Sequence, residues 1–400
     1  MARIGIFGGS FNPPHEGHVL AAREFYDQLE LDKLLIIPAG DPPHKTLSAN
    51  SPTAMQRLEM TRLAVLDLEN TEVLDLEIKR EGRSYTADTI EILRQSYPND
   101  ELFLLMGTDM FYSFASWYQP ERITKEVTVA VAHRDADSPA KLKNCAADLE
   151  KRFGAEIAFV ENRFLPHSST SVRAMIAFRC AEPYLAPAVM EYIRTNGLYY
   201  AEREMRGLPF AELREIALSL HKSNRVDHVI GCSETAVALA EFYGADPEEA
   251  RRAGILHDIT KALNSYEQLQ LCEKYGMILN TFEREHPKLL HAKTGAVVAQ
   301  EIFGESMEVC EAIRWHTTGR ENMTLLEKLV YLADYMEPNR TIDGIDELRR
   351  LTWTDPDEAL AMGLEMTMTY VSSRGAKVDP HSAAALRFLQ ERKQTHEKTN

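Results

Sequence analysis

The feature that most restricts the fold of this 400-residue chain is a regular alternation of short apolar runs and amphipathic segments over about the first 200 residues. The amphipathic segments, such as Met55–Leu66 and Thr86–Tyr97, predict helices. Strands that alternate with helices favour an α/β domain with a parallel sheet, whose ligands bind at the carboxyl ends of the strands. The six runs predicted as strands are Ile4–Phe7, Lys33–Ile37, Glu72–Ile78, Leu102–Met106, Val127–Ala132 and Glu156–Val160.

The alternation ends near residue 205, and helical patterns dominate from there to about residue 393. The charged segment 201–206 ends at Gly207, and Pro209 suits the first turn of a new helix. The sequence therefore predicts two domains, an α/β domain over residues 1–203 and an all-α helical bundle over residues 204–400. The bundle is expected to close with helices over Thr354–Tyr370 and His381–Lys393.

Charge and composition exclude several classes of partner. The net charge is −16, and the parts before and after position 205 carry −8 each, which argues against nucleic acid and anionic membranes as partners. The five cysteines are scattered, as is typical of reduced thiols. The apolar runs are too short to span a bilayer, and the first ends too early for a signal peptide. We expect a cytoplasmic protein, and the sequence leaves open whether it forms a homo-oligomer.

A glycine turn follows the first predicted strand and leads into a helix predicted from about Gly17 to Leu29. Glycines allow backbone N–H groups to approach a phosphate, and a helix N-terminus favours anions. His15 and His18 lie three residues apart, so a helical turn directs both imidazoles to one point. The simpler alternative is a glycine turn with two surface histidines. The predicted phosphate site comprises these two histidines with Gly8, Gly9, Ser10 and Phe11.

Two further segments carry groups suited to phosphate. Lys45 follows two prolines, which stiffen its loop and present a point charge suited to a triphosphate. Arg173 lies one turn inside a predicted helix and can bind phosphate with two parallel hydrogen bonds. The hydroxyls that open this helix either cap its N–H groups or contact phosphate oxygens. They belong to Ser168, Ser169 and Thr170.

The segment Gly8–His18 contains His15-Glu16-Gly17-His18 and resembles the HxGH signature of the nucleotidyltransferase superfamily. The longer string resembles bacterial nicotinate-nucleotide adenylyltransferases. Other segments extend the resemblance over residues 1 to 200. They are Pro42–Lys45, Arg83–Thr86, Ser168–Arg173, which matches an SSTxxR pattern, and a closing helix predicted over Tyr184–Tyr199. His167 departs from the family, in which this position is often aliphatic.

The resemblance implies a Rossmann-like domain that transfers AMP from ATP, accompanied by Mg²⁺, to nicotinate mononucleotide, giving deamido-NAD and pyrophosphate. It implies that His15 and His18 act at the α-phosphate, with Lys45 and Arg173 at the departing phosphates. A sister enzyme acting on phosphopantetheine is the alternative, but it gives no reason for the segment ending at Thr86 or for Trp117. Nicotinamide mononucleotide as a substrate stays open.

The resemblance also implies a pyridine-binding side of this site. The segment ending at Thr86 would hold the nicotinate carboxylate. Asp109 follows the strand Leu102–Met106 and is predicted to contact substrate. Trp117, eight residues later, would stack on the pyridine ring, as a flat indole can.

Histidines and aspartates recur at wide intervals in the second half, several of them within apolar helical stretches. A polar group buried there without a partner would be costly, and a shared metal centre would satisfy all of them together. Each alone has the simpler interpretation of a hydrogen-bonded core residue. The predicted ligands are His228, His257, Asp258, His291, His316 and Asp334.

The strings Ala253–Lys261, His316–Gly319 and Ala333–Arg340 make this pattern resemble the HD superfamily, specifically YqeK-like domains. Those domains hydrolyse diadenosine tetraphosphate symmetrically to two ADP. Six ligands exceed the needs of one open site, so two divalent or trivalent metals are expected, and the resemblance favours iron. His228, His257, Asp258 and Asp334 would hold one metal, and His291 and His316 the other, with Asp258 bridging.

Four more residues are predicted to meet phosphate in this domain. Lys261 follows the His257-Asp258 pair by one turn and would neutralise or protonate phosphate oxygens. The others are Arg225, Thr317 and Arg340. A hydrolase of another nucleotide and a non-catalytic nucleotide sensor that regulates the first domain remain alternatives, and the sequence does not decide whether the two halves are coupled.

Overall fold

The predicted strands form one six-stranded parallel sheet in the first of two units, Met1–Glu202 and Arg203–Asn400. The computed structural model describes residues 1–43, 51–133, 138–161 and 167–399. Its strands are β1 (Arg3–Gly9), β2 (Lys33–Pro38), β3 (Thr71–Val73), β4 (Glu101–Gly107), β5 (Thr128–His133) and β6 (Ile157–Glu161). They lie in the order β3-β2-β1-β4-β5-β6. The order reverses between β1 and β4, where sheets of this kind bind ligands.

Both faces of the sheet are buried. Ile4 of β1 pairs with Lys33 of β2 and with Leu102 of β4. Leu35 and Val129 belong to the core of one face, whereas Leu34 and Ala130 belong to the core of the other. Because both faces are covered, the strands are nearly continuous apolar runs rather than alternating ones.

Helices cover this sheet, and two of them begin at the motifs predicted to bind phosphate. The glycine turn after β1 leads into α1, and the serine-rich segment opens α8. The helices of the first unit are α1 (Glu16–Gln28), α2 (Ala54–Ala64), α3 (Leu76–Lys79), α4 (Thr86–Ser96), α5 (Thr108–Ser113), α6 (Pro120–Thr124), α7 (Pro139–Phe153), α8 (Ser169–Ala177) and α9 (Pro187–Thr195).

Two predicted elements are shorter than expected. The third strand stops at Val73, and its apolar continuation forms α3, where Leu76 packs against the core. A short apolar run does not by itself distinguish a strand from a buried helical turn. The closing helix ends at Thr195 because Gly197 and Tyr199 adopt left-handed conformations, with φ of 60° and 54°.

The regular elements of the second unit are all helices among its described residues. Among the described helices of both units, none is long and apolar enough to cross a lipid bilayer. The helices are α10 (Phe210–Leu220), α11 (Val226–Tyr243), α12 (Pro247–Leu256), α13 (Ser265–Lys274), α14 (Thr281–Glu285), α15 (Leu290–Val298), α16 (Met307–Trp315), α17 (Leu325–Met336), α18 (Ile345–Thr352), α19 (Pro356–Ser373) and α20 (Pro380–Thr399).

Two contacts fix α12, the helix that ends at Leu256, directly before His257. Gly254 lies so close to α11 that a Cβ atom there would come within 2.6 Å of the Ser233 Cα, so only glycine allows the approach. Arg252 forms a two-pronged ion pair with Glu305, with Nε–Oε2 and Nη2–Oε1 distances of 2.7 Å. The Glu305 carboxylate is almost fully buried. A buried, bidentate pair of this kind orients the helix as well as stabilising it.

We expect Glu305→Gln to lower the stability of the second unit by about 2–3 kcal/mol, because it leaves the Arg252 charge with only the longer pair to Glu248, at 3.7 Å. Chemical denaturation followed by circular dichroism would measure the change. The matched control is Glu358→Gln, which breaks an exposed pair with Lys393 and should leave the unfolding midpoint unchanged. Equal midpoints for Glu305→Gln and the control would contradict this role of the buried pair.

Candidate functional sites

The loop between β1 and α1 is fixed by side chains from three other elements. Arg57 of α2 donates from Nη1 to the Ser10 carbonyl at 2.7 Å and from Nη2 to the Gly40 carbonyl at 3.0 Å. Arg173 of α8 donates to the Asn12 carbonyl at 2.7 Å. The Tyr199 hydroxyl donates to Asn12 Oδ1 at 2.6 Å. These bonds hold the loop in one shape before any ligand arrives.

His15 and His18 lie together at the start of α1, as predicted, with ring centroids 3.8 Å apart. The backbone N–H of His15 donates to His18 Nδ1 at 3.2 Å, which fixes the second ring. Burial, with His18 and His167 nearby, holds the pKa of His15 well below its usual range, so this imidazole is neutral. Its Nδ1 is buried without a hydrogen-bond partner among the described residues. Phe11 packs on His18 at 5.1 Å.

The start of α8 meets the same loop. Ser168 caps the helix by accepting from the Ser171 N–H at 3.1 Å, so the capping interpretation describes its hydroxyl in this structure. The Ser169 hydroxyl donates to the Pro13 carbonyl at 3.2 Å, and Arg173 Nη2 donates to Thr170 Oγ1 at 3.2 Å. The two motifs predicted to bind phosphate are therefore joined by hydrogen bonds.

The electrostatics of this site come from its arginines. Burial lowers the pKa of both Arg57 and Arg173, yet a guanidinium stays charged at neutral pH. In the described part of the chain, neither has a carboxylate within ion-pair distance. Both use backbone carbonyls instead, so two positive charges are held beside the loop with no negative partner to cancel them.

The residues predicted to bind the pyridine lie at the same edge of the sheet. Thr86 begins α4, and exposed Asp109 lies in the first turn of α5, directly after β4. Trp117 is half-buried against Phe114, with ring centroids 5.2 Å apart. Tyr85, beside Thr86, packs on Tyr118 at 4.4 Å. Gly8 and Gly9 end β1 at this edge, whereas Lys45 lies outside the described residues.

Sequence reasoning assigned no role to three residues that shape this site. Arg57 gives no signal, since one arginine on a helix is usually a surface residue. Ser84 accepts hydrogen bonds from the N–H groups of Gly40 and Asp41 at 3.0 and 3.1 Å, which ties the segment before α4 to the loop after β2. Ser84 belongs to the segment Arg83–Thr86, for which the resemblance implies a carboxylate-binding role but no link to the loop after β2. Tyr199 lay within the predicted closing helix.

In the second unit, the six predicted metal ligands come from five helices and meet at one place. His228 lies in the first turn of α11, and His291 in the first turn of α15. His257 and Asp258 follow α12 directly, and His316 follows α16. Asp334 lies in α17. All four imidazoles and Asp258 are buried.

Asp258 stands between two sets of imidazoles. Its Oδ2 lies 3.6 Å from His257 Nε2 and 3.9 Å from His228 Nε2. Its Oδ1 lies 3.3 Å from His291 Nε2 and 3.6 Å from His316 Nε2. Each carboxylate oxygen therefore faces a different pair, as a bridging ligand must.

Asp334 completes the first set. Its Oδ1 lies 3.1 Å from His228 Nε2 and 3.7 Å from His257 Nε2. The two imidazole Nε2 atoms are themselves 3.3 Å apart. Imidazole nitrogens and a carboxylate oxygen this close to one another are a donor set that suits a transition-metal ion.

Each imidazole turns its other nitrogen to a fixed acceptor. His257 Nδ1 lies 2.8 Å from the Gly254 carbonyl, His291 Nδ1 is 2.8 Å from the Lys288 carbonyl, and His316 Nδ1 is 2.7 Å from the Ile313 carbonyl. A carbonyl only accepts, so Nδ1 carries the proton and Nε2 keeps its lone pair for a metal.

The fourth imidazole uses a side chain for the same purpose. His228 Nδ1 lies 3.2 Å from Glu337 Oε1, a buried carboxylate. Gly231 permits this approach, since a Cβ there would come within 2.6 Å of Glu337 Oε2. Glu337 belongs to the quoted string Ala333–Arg340, but sequence reasoning gave it no role. A carboxylate that follows a predicted ligand by one turn is the signal that could have found it.

Burial keeps three of the imidazoles neutral. It holds the pKa of His257 and His291 well below the usual range and lowers the pKa of His316 to about 4. Asp334 is ionised, because its pKa is held well below its usual range despite burial, with the Arg340 guanidinium beside it. Neutral imidazoles and ionised carboxylates are the protonation states that bind metal.

The predicted phosphate-binding residues surround this centre. Arg225 forms an ion pair with Asp258, and Arg340 Nη2 lies 2.8 Å from Asp334 Oδ1. Lys261 Nζ lies 2.8 Å from His291 Nε2, and burial lowers the pKa of Lys261 to about 8. The Thr317 hydroxyl is buried and has no hydrogen-bond partner in the described part of the chain.

A buried polar bridge, which sequence reasoning missed, supports the second set. Gln268 of α13 donates from Nε2 to the Thr260 carbonyl at 2.7 Å and accepts at Oε1 from the Thr294 hydroxyl at 2.6 Å. The Thr260 hydroxyl donates to the His291 carbonyl at 2.9 Å. Gln268 thus links the segment after Asp258 to the helix that carries His291.

Comparison with known proteins finds a family model that matches part of each half. Residues 6–175 match the Cytidylyltransferase-like family model, and residues 225–339 match the HD domain model. The chain is 37% identical over 204 residues to a probable nicotinate-nucleotide adenylyltransferase of Neisseria meningitidis serogroup C, covering 50% of this chain and 99% of that protein. It is 41% identical over 200 residues to one of Synechococcus, covering 49% of this chain and 94% of that protein.

A solved structure matches the other half. It is a predicted HD superfamily hydrolase involved in NAD metabolism from Clostridium acetobutylicum, 34% identical to the part it matches, with a TM-score of 0.45. It covers 46% of this chain, and the match covers 98% of that protein. The adenylyltransferase relatives match about half of the chain over nearly their whole length. Through its first half, the chain belongs to the nicotinate-nucleotide adenylyltransferase family.

Proposed function

We propose that the first unit transfers AMP from ATP to nicotinate mononucleotide, with Mg²⁺ accompanying the ATP. The observation that carries this proposal is the joining of the His15 and His18 turn to the start of α8 by Arg173 and Ser169. Two helix N-termini held side by side, each suited to an anion, suit a nucleoside triphosphate. The identity to relatives named for this activity supports the choice of acceptor.

Transfer of AMP requires alignment of the two substrates and stabilisation of the developing charge, and it does not require a nucleophile from the protein. An oxygen of the mononucleotide phosphate attacks the α-phosphorus of ATP, the bond to the bridging oxygen breaks, and pyrophosphate leaves. His15 and His18 donate to the α-phosphate oxygens, with backbone N–H groups from Gly8 to Phe11. Arg173 meets the departing phosphates, and Lys45 is proposed to act with it. Mg²⁺ neutralises charge on the triphosphate when it is bound.

The pyridine of the acceptor would lie at the edge formed by α4 and α5. The hydroxyl of Thr86 and the N–H groups that open α4 suit the nicotinate carboxylate, since a helix start attracts anions. Trp117 supplies a ring face for the pyridine. Tyr118, which packs on Tyr85, is a second aromatic ring at this edge.

We propose that the second unit is a metal-dependent phosphohydrolase that cleaves diadenosine tetraphosphate symmetrically to two ADP. The observation that carries this proposal is Asp258, whose two oxygens face separate pairs of imidazoles. The donor set suits two metals, for which iron is our proposal. His228, His257, Asp258 and Asp334 would hold one, and His291, His316 and Asp258 the other.

Metals bound there would supply an activated water and stabilise the charge that develops on phosphorus. The protein's own residues do the rest. Arg225 and Arg340 bring positive charge to the phosphate chain. Lys261, whose pKa of about 8 lies near neutrality, donates a proton to the leaving phosphate oxygen. Water breaks one bridging P–O bond, and each half of the substrate leaves as ADP.

Two alternative functions of the second unit predict different behaviour toward nucleotides. A hydrolase of another nucleotide would keep the metals but prefer a different substrate in a panel of nucleotides. A sensor that regulates the first unit would bind nucleotide without turnover. The nearness of Lys261 to the centre favours catalysis, because a binding site alone has no need of a proton donor.

His18→Ala tests the first proposal. We expect kcat for deamido-NAD formation to fall by at least about a hundredfold, because a donor to the reacting phosphate is lost. The control is Arg23→Ala, on the exposed side of the same helix, which should keep wild-type kcat. Pyrophosphate release would measure the rate, and circular dichroism would verify folding. Near-normal turnover by folded His18→Ala would refute the assignment.

Trp117 gives a prediction about the acceptor. We expect Trp117→Ala to raise the KM for nicotinate mononucleotide about five- to tenfold through lost ring stacking, with the KM for ATP unchanged. Trp117→Phe keeps a ring and should retain most of the affinity. Initial rates with each substrate varied in turn would separate the two constants. A parallel rise in both KM values would instead indicate a packing role for Trp117.

Asp258→Ala tests the metal centre. We expect the metal content of the purified chain to fall and hydrolysis of diadenosine tetraphosphate to drop by at least about a hundredfold, since both sets lose a ligand. Asp227→Asn, an exposed neighbour of His228, is the matched control and should keep both. Elemental analysis and nucleotide chromatography would provide the readouts. If Asp258→Ala retains its metal and its hydrolysis, the two-metal assignment is wrong.

A further inference from the structure

A cavity of about 340 Å³ lies beside the metal centre in the second unit. We call it the α19 cavity, because Met368 and Val371 of α19 form one of its walls. Thr317, which directly follows the predicted ligand His316, lines it. Lys288, whose carbonyl fixes His291, lines it too. Two residues of the cavity wall are therefore directly connected to predicted metal ligands, Thr317 by the chain and Lys288 by a hydrogen bond. The size of the cavity is typical of a small-molecule site.

The wall chemistry suits a flat, largely apolar group. Leu289, Met368, Val371 and Val378 contribute apolar surface. His286 adds a ring that is already stacked on Phe282, with centroids 4.1 Å apart and planes 20° apart. A ring held flat in this way is a platform on which a nucleobase can stack. Lys377, which also lines the cavity, is paired with Glu285 at 3.3 Å, so its charge is partly neutralised.

Two polar groups of the lining can meet the hydroxyl and amino groups of a nucleoside. The Thr317 hydroxyl is buried and lacks a hydrogen-bond partner among the described residues. The Asp379 side chain is only 11% exposed, and its Oδ1 accepts from the His381 N–H at 2.8 Å at the start of α20. A carboxylate has two oxygens, so Asp379 can also accept from a ligand. The Ser382 hydroxyl donates to the Thr318 carbonyl, which links the start of α20 to the segment that follows His316.

We propose that the α19 cavity binds one purine nucleoside of the nucleotide whose phosphates meet the metal centre. Thr317, beside His316 and in the cavity wall, lies at the junction between phosphate and nucleoside. Asp379 and the His286 ring select the nucleoside. This inference rests on the proposed phosphohydrolase function for the identity of the phosphates, and it assigns the residues that determine substrate specificity.

We would test this proposal with substitutions in the cavity wall, made in the full, metal-loaded chain. Val371→Phe adds bulk to the wall, and Asp379→Asn removes the charge but keeps a good helix cap. Ser372→Phe, at an exposed position next in sequence and outside the lining, is the matched control. We would titrate each chain with ADP and with inorganic pyrophosphate by calorimetry, and measure the KM for diadenosine tetraphosphate.

We expect Val371→Phe and Asp379→Asn to weaken ADP binding in the second unit and to raise the KM by at least about tenfold. Pyrophosphate affinity and metal content should stay at the wild-type values shown by Ser372→Phe. Any ADP bound by the first unit is common to all the variants, so the difference between them reports on the cavity. A crystal structure with ADP should show the adenine against His286.

The outcomes separate the two proposals. If the wild-type chain does not hydrolyse diadenosine tetraphosphate but Val371→Phe still loses ADP affinity selectively, the proposed hydrolysis fails and the nucleoside site stands. If hydrolysis proceeds and Val371→Phe binds ADP and substrate as the control does, the nucleoside site is refuted. Equal weakening of ADP and pyrophosphate would also refute it, because the cavity would then not recognise the nucleoside.

Discussion

The hydrogen bond from each buried imidazole to a fixed acceptor is the interaction on which the second unit depends. His257, His291 and His316 donate from Nδ1 to carbonyls three residues earlier, which lie in the last turns of α12 and α16 and in the turn before α15. Helix geometry itself therefore decides which nitrogen is protonated and where the other points. With the proton placed at Nδ1, all four Nε2 atoms converge on the two aspartates. Other contacts of the unit, such as the ion pair of Arg252 with Glu305, hold the helices that carry the imidazoles in position.

The first unit solves a related problem with backbone carbonyls in the same accepting role. There the carbonyls of Ser10, Gly40 and Asn12 accept from arginines rather than from imidazoles. Each guanidinium has several donors in one plane, so Arg57 spans two loops that are distant in sequence and Arg173 joins two helix starts. Neither charge is neutralised by this bonding. The loop is thus made rigid by the same groups that attract phosphate, which reduces the ordering needed when a nucleotide binds.

Sequence periodicity predicted the α/β and all-α halves, because the 3.6- and two-residue repeats are local properties of the chain. It failed at Glu72–Ile78, where an edge strand and a helical turn carry the same apolar run. The six ligands could be named because buried histidines and aspartates are costly without a shared partner. Arg57, Gln268 and Glu337 could not be identified in that way. Their roles depend on which helices become neighbours, and the tertiary fold alone determines this.

The charges opposite the neutral imidazoles explain how two centres in one chain handle phosphate differently. In the first unit, the two arginines that hold the loop before His15 have no carboxylate partner among the described residues, so the local field favours an anion directly. In the second, the imidazoles surround Asp258 and Asp334, whose negative charges favour a cation first. Under the proposed function, a cation held there would act with Arg225 and Arg340 to reverse the sign of the field that a phosphate meets. On the same proposal, the first centre has no need of resident metal ligands, because its metal would arrive with the nucleotide, whereas the donor set of the second suits metals held by the protein.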